Sequence, residues 1–207
     1  MVTLDLAKLT VREVNQGLRE AGKAGDHVTV LNPDARHHIG VGLTSAITVR
    51  VEGSAGYFCA GLSDQAHFEV THNVGWGVGD NMYSGSVQVG GNAGAIPGVA
   101  IRGAEIVIQG NMGSRAGQVM KAGTLCCAGD ANFMAGYMMY GGRIIILGDS
   151  GERVGEDMSA GEIFIGGKVQ ELGSDAMLSD TETSEIEDIR RFLDRYGISF
   201  KGSFSKV

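Results

Sequence analysis

The chain of 207 residues is short of the residues that mark several large protein classes. With only 2 prolines, it cannot be a collagen repeat, however much glycine it holds. Hydrophobic residues make up 43%, too many for a glycine-rich chain that stays disordered for want of a core. No run approaches the roughly 18 consecutive apolar residues of a membrane span, and the opening Met1-Val2-Thr3-Leu4-Asp5-Leu6 lacks the basic and then apolar regions of a secretory signal. Positive charge is scarce. Lys and Arg number 17 against 24 Asp and Glu, a net charge of −7, which withholds the basic footprint that nucleic acid requires. The 3 cysteines, Cys59, Cys126 and Cys127, are odd in number, two are adjacent, and none forms a Cys-x-x-Cys pair. That pattern argues against a disulfide framework and against a zinc or iron–sulfur site built by this chain. The expectation is a cytoplasmic protein with no membrane or nucleic-acid partner.

Glycine, by contrast, is abundant: 34 of the 207 residues, against roughly 7% in an average protein. The excess is periodic. Steps of 19 residues from Gly53 reach His72, Gly91, Gly110, Gly129, Gly148 and Gly167. A second column holds Gly56, Gly75, Gly94, Gly113, Asn132 and Gly151, a third Ala60, Gly79, Gly98, Gly117, Gly136 and Gly155, and a fourth Ala66, Gly85, Ala104, Gly123, Gly142 and Gly161. Ahead of the first column stand Val49/Val51, Phe68/Val70, Val87/Val89, Ile106/Ile108, Leu125/Cys127, Ile144/Ile146 and Ile163/Ile165. This is the alternation of a short strand with one face inward. Just after it come Ser54, Asn73, Asn92, Asn111, Asp130, Asp149 and Lys168, turn-forming types for the most part.

A strand, a glycine/Asx corner and a return within one period describe one coil of a parallel β-solenoid, which buries its apolar face only by stacking on its neighbours. About seven coils at roughly 4.8 Å give a rod on the order of 30–35 Å long. The period is not a multiple of six, so the hexapeptide left-handed form is set aside in favour of a right-handed parallel β-helix. A further column, Met82, Ile101, Met120, Met139, Met158 and Met177, opens on Ser63. It is read as core filling, the alternative being a soft-metal or binding groove.

Both ends need covers. Thr10 with Glu13 reads as a capping box for a helix carrying Val11, Val14 and Leu18 and stopping at Gly22. Ser184 with Glu187 reads as a second box before Ile186, Ile189, Leu193 and Tyr196, with Gly197 as terminator. The organisation is therefore a helical cap over 1–27, the β-helix over 28–177, and a helix with tail over 178–207. The tail, with Phe200 and Phe204, either lies on a partner or frays.

No constellation of catalytic, cofactor-binding or metal-ligating residues emerges, and none is assigned. Gly75-Trp76-Gly77-Val78-Gly79 has Asp80 where a dinucleotide fingerprint needs its third glycine, so it is read as a solenoid corner. His37, His38, His67 and His72 are read as surface or corner residues, a ligand or base being the other option. Cys127 falls in an inward column, and Cys126, facing outward, is the better candidate for a contact. Trp76 stands one coil after Tyr57, as an aromatic contact patch or as corner filling.

The coil with repeated Gly-x-x-Gly corners, as in Val49-Arg50-Val51-Glu52-Gly53-Ser54-Ala55-Gly56-Tyr57-Phe58-Cys59-Ala60-Gly61 and Asn81-Met82-Tyr83-Ser84-Gly85, resembles the GXGXG domain. That domain closes the large subunit of glutamate synthase and occurs in a subunit of formylmethanofuran dehydrogenase. The resemblance covers roughly Asn32 to Ala176, and as a free-standing chain this one looks most like the stand-alone glutamate synthase domain-3 subunits, notably that of N-methylglutamate synthase in methylamine metabolism. It implies a non-catalytic scaffold joining an amidotransferase-like subunit to a synthase subunit that carries FMN and an iron–sulfur cluster. This chain itself would bind no cofactor. Gly53, Gly91, Gly110, Gly129, Gly148 and Gly167 match the family's corners, and His72 departs from them. The same subunit in an ammonia-handling glutamate synthase or amidotransferase complex is the runner-up. A β-helical acyltransferase using His67 or His72 is the alternative from another class.

Overall fold

The computed structural model describes residues 2–25 and 27–207; Met1 and Asp26, both inside the segment read as the N-terminal cap, lie outside the described residues. The chain is an all-β parallel solenoid with two short helices. Strands β1 (Val2–Asp5), β2 (His27–Leu31), β3 (Thr48–Glu52), β4 (His67–Val70), β5 (Ser86–Val89), β6 (Arg102–Ile108), β7 (Ala122–Cys127), β8 (Tyr140–Ile146), β9 (Ala160–Ile165) and β10 (Ser205–Lys206) follow one another in a single sheet. All pairs are parallel except the last. From β3 to β9 the register advances by one period per coil: Val49 pairs with Phe68, Phe68 with Val87, Val87 with Ile106, Ile106 with Leu125, Leu125 with Ile144, and Ile144 with Ile163. A second wall is a row of single parallel bridges through Ala55, Val74, Ala93, Met112, Ala131, Ser150 and Val169. The third is a stack of turns whose backbone alternates in hand, so that Phe58, Ala60 and Leu62 all have positive φ. Its N–H groups bond to neighbouring coils, as in Phe58 N–H to the Trp76 carbonyl (2.8 Å).

The inward column of the sheet, including Val49, Phe68, Val87, Ile106, Leu125, Ile144 and Ile163, is buried together with Met82, Met120 and Met139. The methionine column is thus core, with two departures. Ser63 is buried and donates its hydroxyl to the Gly40 carbonyl (3.0 Å), while Met177 is 77% exposed. The period fails before Met177 because the last parallel bridge, Val154 to Leu172, spans one residue fewer than a full coil.

Helix α1 (Val11–Ala24) plugs the first open end, and its Val14, Leu18 and Ala21 join the interior cluster. Its N-cap is the expected box, with Glu13 N–H donating to Thr10 Oγ1 (3.3 Å) and Thr10 N–H to Glu13 Oε2 (2.8 Å). Its end is not Gly22. That glycine is buried within the helix against Ser45, where a Cβ would meet the hydroxyl at 2.2 Å, and the left-handed terminator is Gly25 at φ 68. The segment ahead of the helix is strand β1, which extends the sheet by one place.

Helix α2 (Thr183–Arg195) begins slightly earlier than Ser184 and Glu187 suggest: the Glu182 N–H donates to Glu185 Oε2 (2.8 Å), and Gly197 follows the end at φ 67. It lies along the outer face of β6 to β9. Ile189, Phe192 and Leu193 bury Val107, Cys126, Ile145 and Phe164 in a second cluster. The tail does not fray but packs on its own chain: Ser205 and Lys206 pair antiparallel with Ile165 and Phe164, and Val207 reaches the interior at the far end.

Candidate interaction surface

The corner that follows the sheet is a ladder. Asn73 Oδ1 accepts the backbone N–H of Asn92 (2.8 Å), Asn92 Oδ1 that of Asn111 (2.8 Å), and Asn111 Oδ1 that of Asp130 (2.9 Å). Asp130 Oδ1 continues it to Asp149 (2.8 Å), and Asp149 Oδ1 to Lys168 (2.7 Å). Each accepting oxygen occupies the space over the next coil's corner, so a Cβ on Gly91, Gly110, Gly129, Gly148 or Gly167 would lie 2.0–2.3 Å from it. His72 is tolerated in that column because the residue beneath is Ser54, whose shorter side chain accepts from Asn73 N–H at 3.3 Å and leaves room for a Cβ. The corner's polar atoms are largely consumed by the fold.

The histidines are likewise held by their neighbours. His37 Nδ1 accepts the Tyr57 N–H (2.9 Å), and His72 Nδ1 lies 2.9 Å from Thr71 Oγ1. His67 Nδ1 is 2.9 Å from Ser86 Oγ, a second imidazole–hydroxyl pair. The register then sets Thr48 on the far side of His67 and Glu105 beyond Ser86, and Glu105 accepts from Tyr196 Oη (2.6 Å) and Arg195 (3.0 Å). The carboxylate is on the serine's side, so among the described residues no acid orients the His67 imidazole as an acyl-transfer base needs. Among the described residues no three His, Cys, Asp or Glu side chains gather as a metal site.

Cys126 is not a contact residue. Adjacent strand residues face opposite ways, so Cys127 enters the interior and Cys126 the cluster under α2, where burial pushes its thiol up to about 12. Burial does the same to Cys59. The helix's cover was readable in the outward column, which runs Arg50, Glu69 and Gln88 and then turns apolar at Val107, Cys126, Ile145 and Phe164.

Large apolar side chains are exposed at Tyr83, Tyr140, Met177 and Leu178, and on the first coils such exposure coincides with a ring stack. His37 and Tyr57 stack with ring centroids 4.3 Å apart and planes at 10°, and Tyr57 stacks on Trp76 at 5.5 Å and 21°. His38 stacks on Phe58 alongside (5.7 Å, 12°). Tyr57 is 40% exposed, Leu62 52% and Trp76 54%, so apolar surface stays open here although Tyr57 is stacked by both His37 and Trp76. After Trp76 the same column holds Ala95 and Ser114, and the stack stops. The pairing of Tyr57 with Trp76 is therefore an exposed patch and not corner filling.

No family model matches the chain. Protein GlxC of Rhizobium meliloti (strain 1021) is 36% identical over 91 residues, which are 43% of this chain and 40% of that protein. The chain thus matches less than half the length of this curated relative. Among solved structures, one in the crystal structure of the formyltransferase/hydrolase complex (FhcABCD) from Methylorubrum extorquens, in complex with methylofuran, superposes with a TM-score of 0.75. It is 24% identical, over 96% of this chain and 85% of that one. The likeness shows a shared solenoid fold over nearly the whole chain. Among the described residues no helix is long and apolar enough to cross a membrane.

Proposed function

We propose that this chain is a non-catalytic assembly subunit of a glutamate synthase-type enzyme complex, holding an amidotransferase-like subunit against a synthase subunit that carries FMN and an iron–sulfur cluster. The reaction proposed for the complex is that of N-methylglutamate synthase, in which L-glutamate and methylamine give N-methyl-L-glutamate and ammonia. The observation that carries this reading is the exposed His37–Tyr57–Trp76 stack on the turn wall of the first coils. The partial match to GlxC and the multi-subunit setting of the structural neighbour support an assembly role. An ammonia-handling complex uses the same scaffold, with the choice of amine made by residues of the partners.

The test is co-expression with amidotransferase-like and FMN-synthase-like reading frames neighbouring its own. The three chains should co-purify, N-methylglutamate should form only in the assembled complex, and the isolated chain should bind no FMN. Turnover by the isolated chain, abolished when His67 and His72 are both replaced, would instead favour the acyltransferase.

A further inference from the structure

Beside the stack lies a shallow cup of about 260 Å³, lined by His38, Val41, Phe58, Gly61, Leu62 and Asp80. The coil register explains why a carboxylate sits in it. Asp80 stacks over Gly61, where a Cβ would lie 3.7 Å from the Asp80 Cβ, and the next two coils supply Val99 and Gln118 at the same place. The column therefore offers Asp80 no cation. Its carboxylate takes a hydrogen bond from Asn81 Nδ2 (2.8 Å), and among the described residues it belongs to no ion pair, whereas Arg50, Arg143, Arg153, Arg195 and Lys206 each have a carboxylate partner. Arg19, reaching over from α1, is turned to the Val41 carbonyl (3.4 Å). Half-burial pushes the Asp80 carboxyl up from its ordinary value, because water has been lost and no cation has replaced it.

An apolar cup with one desolvated carboxylate, rimmed by the edges of the His38 and Phe58 rings, fits a weakly hydrated cation on an apolar stem. A lysine ammonium is a compact, strongly hydrated point charge that an apolar cup desolvates at greater cost, and the Phe58 ring, held between His38 and Gly77, offers the stem its edge. We propose that the cup receives an arginine side chain of a partner subunit, its stem against Val41, Phe58 and Leu62 and its guanidinium paired with Asp80. The net charge of −7 favours a basic partner segment. The identity of the partner rests on the assembly role proposed above; the chemistry of the cup does not.

The two are tested separately. The ¹⁵N-labelled isolated chain is titrated with N-acetyl-arginine amide and with N-acetyl-citrulline amide, the neutral analogue of the same shape. Arginine amide should shift the amides of Gly61, Leu62 and Asp80 with a dissociation constant on the order of millimolar. Citrulline amide should bind at least about threefold more weakly, and in Asp80→Asn, which keeps the side chain's shape, arginine should fall to the citrulline level. Asp80→Asn should melt no lower than the parent, since the charge removed had no partner in the isolated chain. Equal shifts by the two amides, shifts outside the cup, or arginine binding unchanged in Asp80→Asn would overturn the proposal. The arginine-to-citrulline ratio on the parent chain decides the matter even if the variant does not fold. Failure to assemble with the neighbouring subunits would count against the assembly role and leave this result standing.

Discussion

Gly91 shows how one atom sets the composition of the chain. A methyl there would lie 2.3 Å from Asn73 Oδ1, the oxygen that accepts the Asn92 N–H and ties two coils together. Glycine and Asx are therefore a matched pair, one on each of two successive coils. Gly91→Ala should destabilise the chain by about 1–3 kcal/mol, in the range of overpacking. Adding Asn73→Ser should recover part of the loss, because a serine beneath is what lets His72 stand in the same column. Thermal or denaturant unfolding of the single and double variants checks this. Recovery no better than additive would mean that backbone contact, and not the ladder oxygen, requires the glycine.

At the scale of elements, the strands were legible because a strict period puts like residues in register, and Val49 through Ile163 pair as their columns require. The elements outside the period were not. β1 joins the sheet through an offset of its own, pairing Val2 with Val28, and β10 is two residues long and antiparallel, so neither leaves a column to detect. The site of α2 was legible in principle, since the outward column turns apolar at Val107, but only when each side of the strand is followed separately. Phe192→Ala, which opens the seam over Cys126, should cost about 3–5 kcal/mol. It should also make Cys126 reactive toward a thiol reagent while Cys59 in the interior stays protected. Equal protection of both would contradict the assigned cover.

The same helix makes stability depend on pH. The Lys206 ammonium, then the Glu182 N–H, hold the Glu185 carboxyl below its ordinary 4.5, and the Arg143 guanidinium holds Asp188 below 3.8. A carboxyl whose folded pKa is depressed binds its proton more weakly when folded, so its contribution is complete above the ordinary value and disappears as the pH falls through the folded one. Acidification below about pH 4 should therefore loosen α2, together with the ends of the rod where Asp5, Glu13 and Glu156 are likewise held below their ordinary values, before the apolar interior of its middle coils. Thiol labelling of Cys126 during acid titration measures it. Loss of helix and rod together, with no early exposure of Cys126, would show that these ion pairs do not set the order.

For the whole molecule, the solenoid is closed upon itself: α1 plugs one end, Val207 and β10 finish the other, and α2 covers the apolar half of one flank. The one place among the described residues where stacked aromatic surface and an unpaired carboxylate lie open together is the turn wall of the first coils. Half of that site was legible, since Tyr57 and Trp76 share a column. The cup was not, because His38, Leu62 and Asp80 come from three coils and take no common residue type. The most direct measurement is light scattering on a size-exclusion column of the chain co-expressed with the amidotransferase-like and FMN-synthase-like subunits, with absorbance at the flavin band followed in parallel. One hetero-oligomer is expected, its flavin remaining with the synthase subunit when the complex is taken apart, and Tyr57→Ala with Trp76→Ala should release this chain as a folded, flavin-free species. A chain that elutes alone from the outset, or that stays in the complex without those two rings, would contradict the assignment.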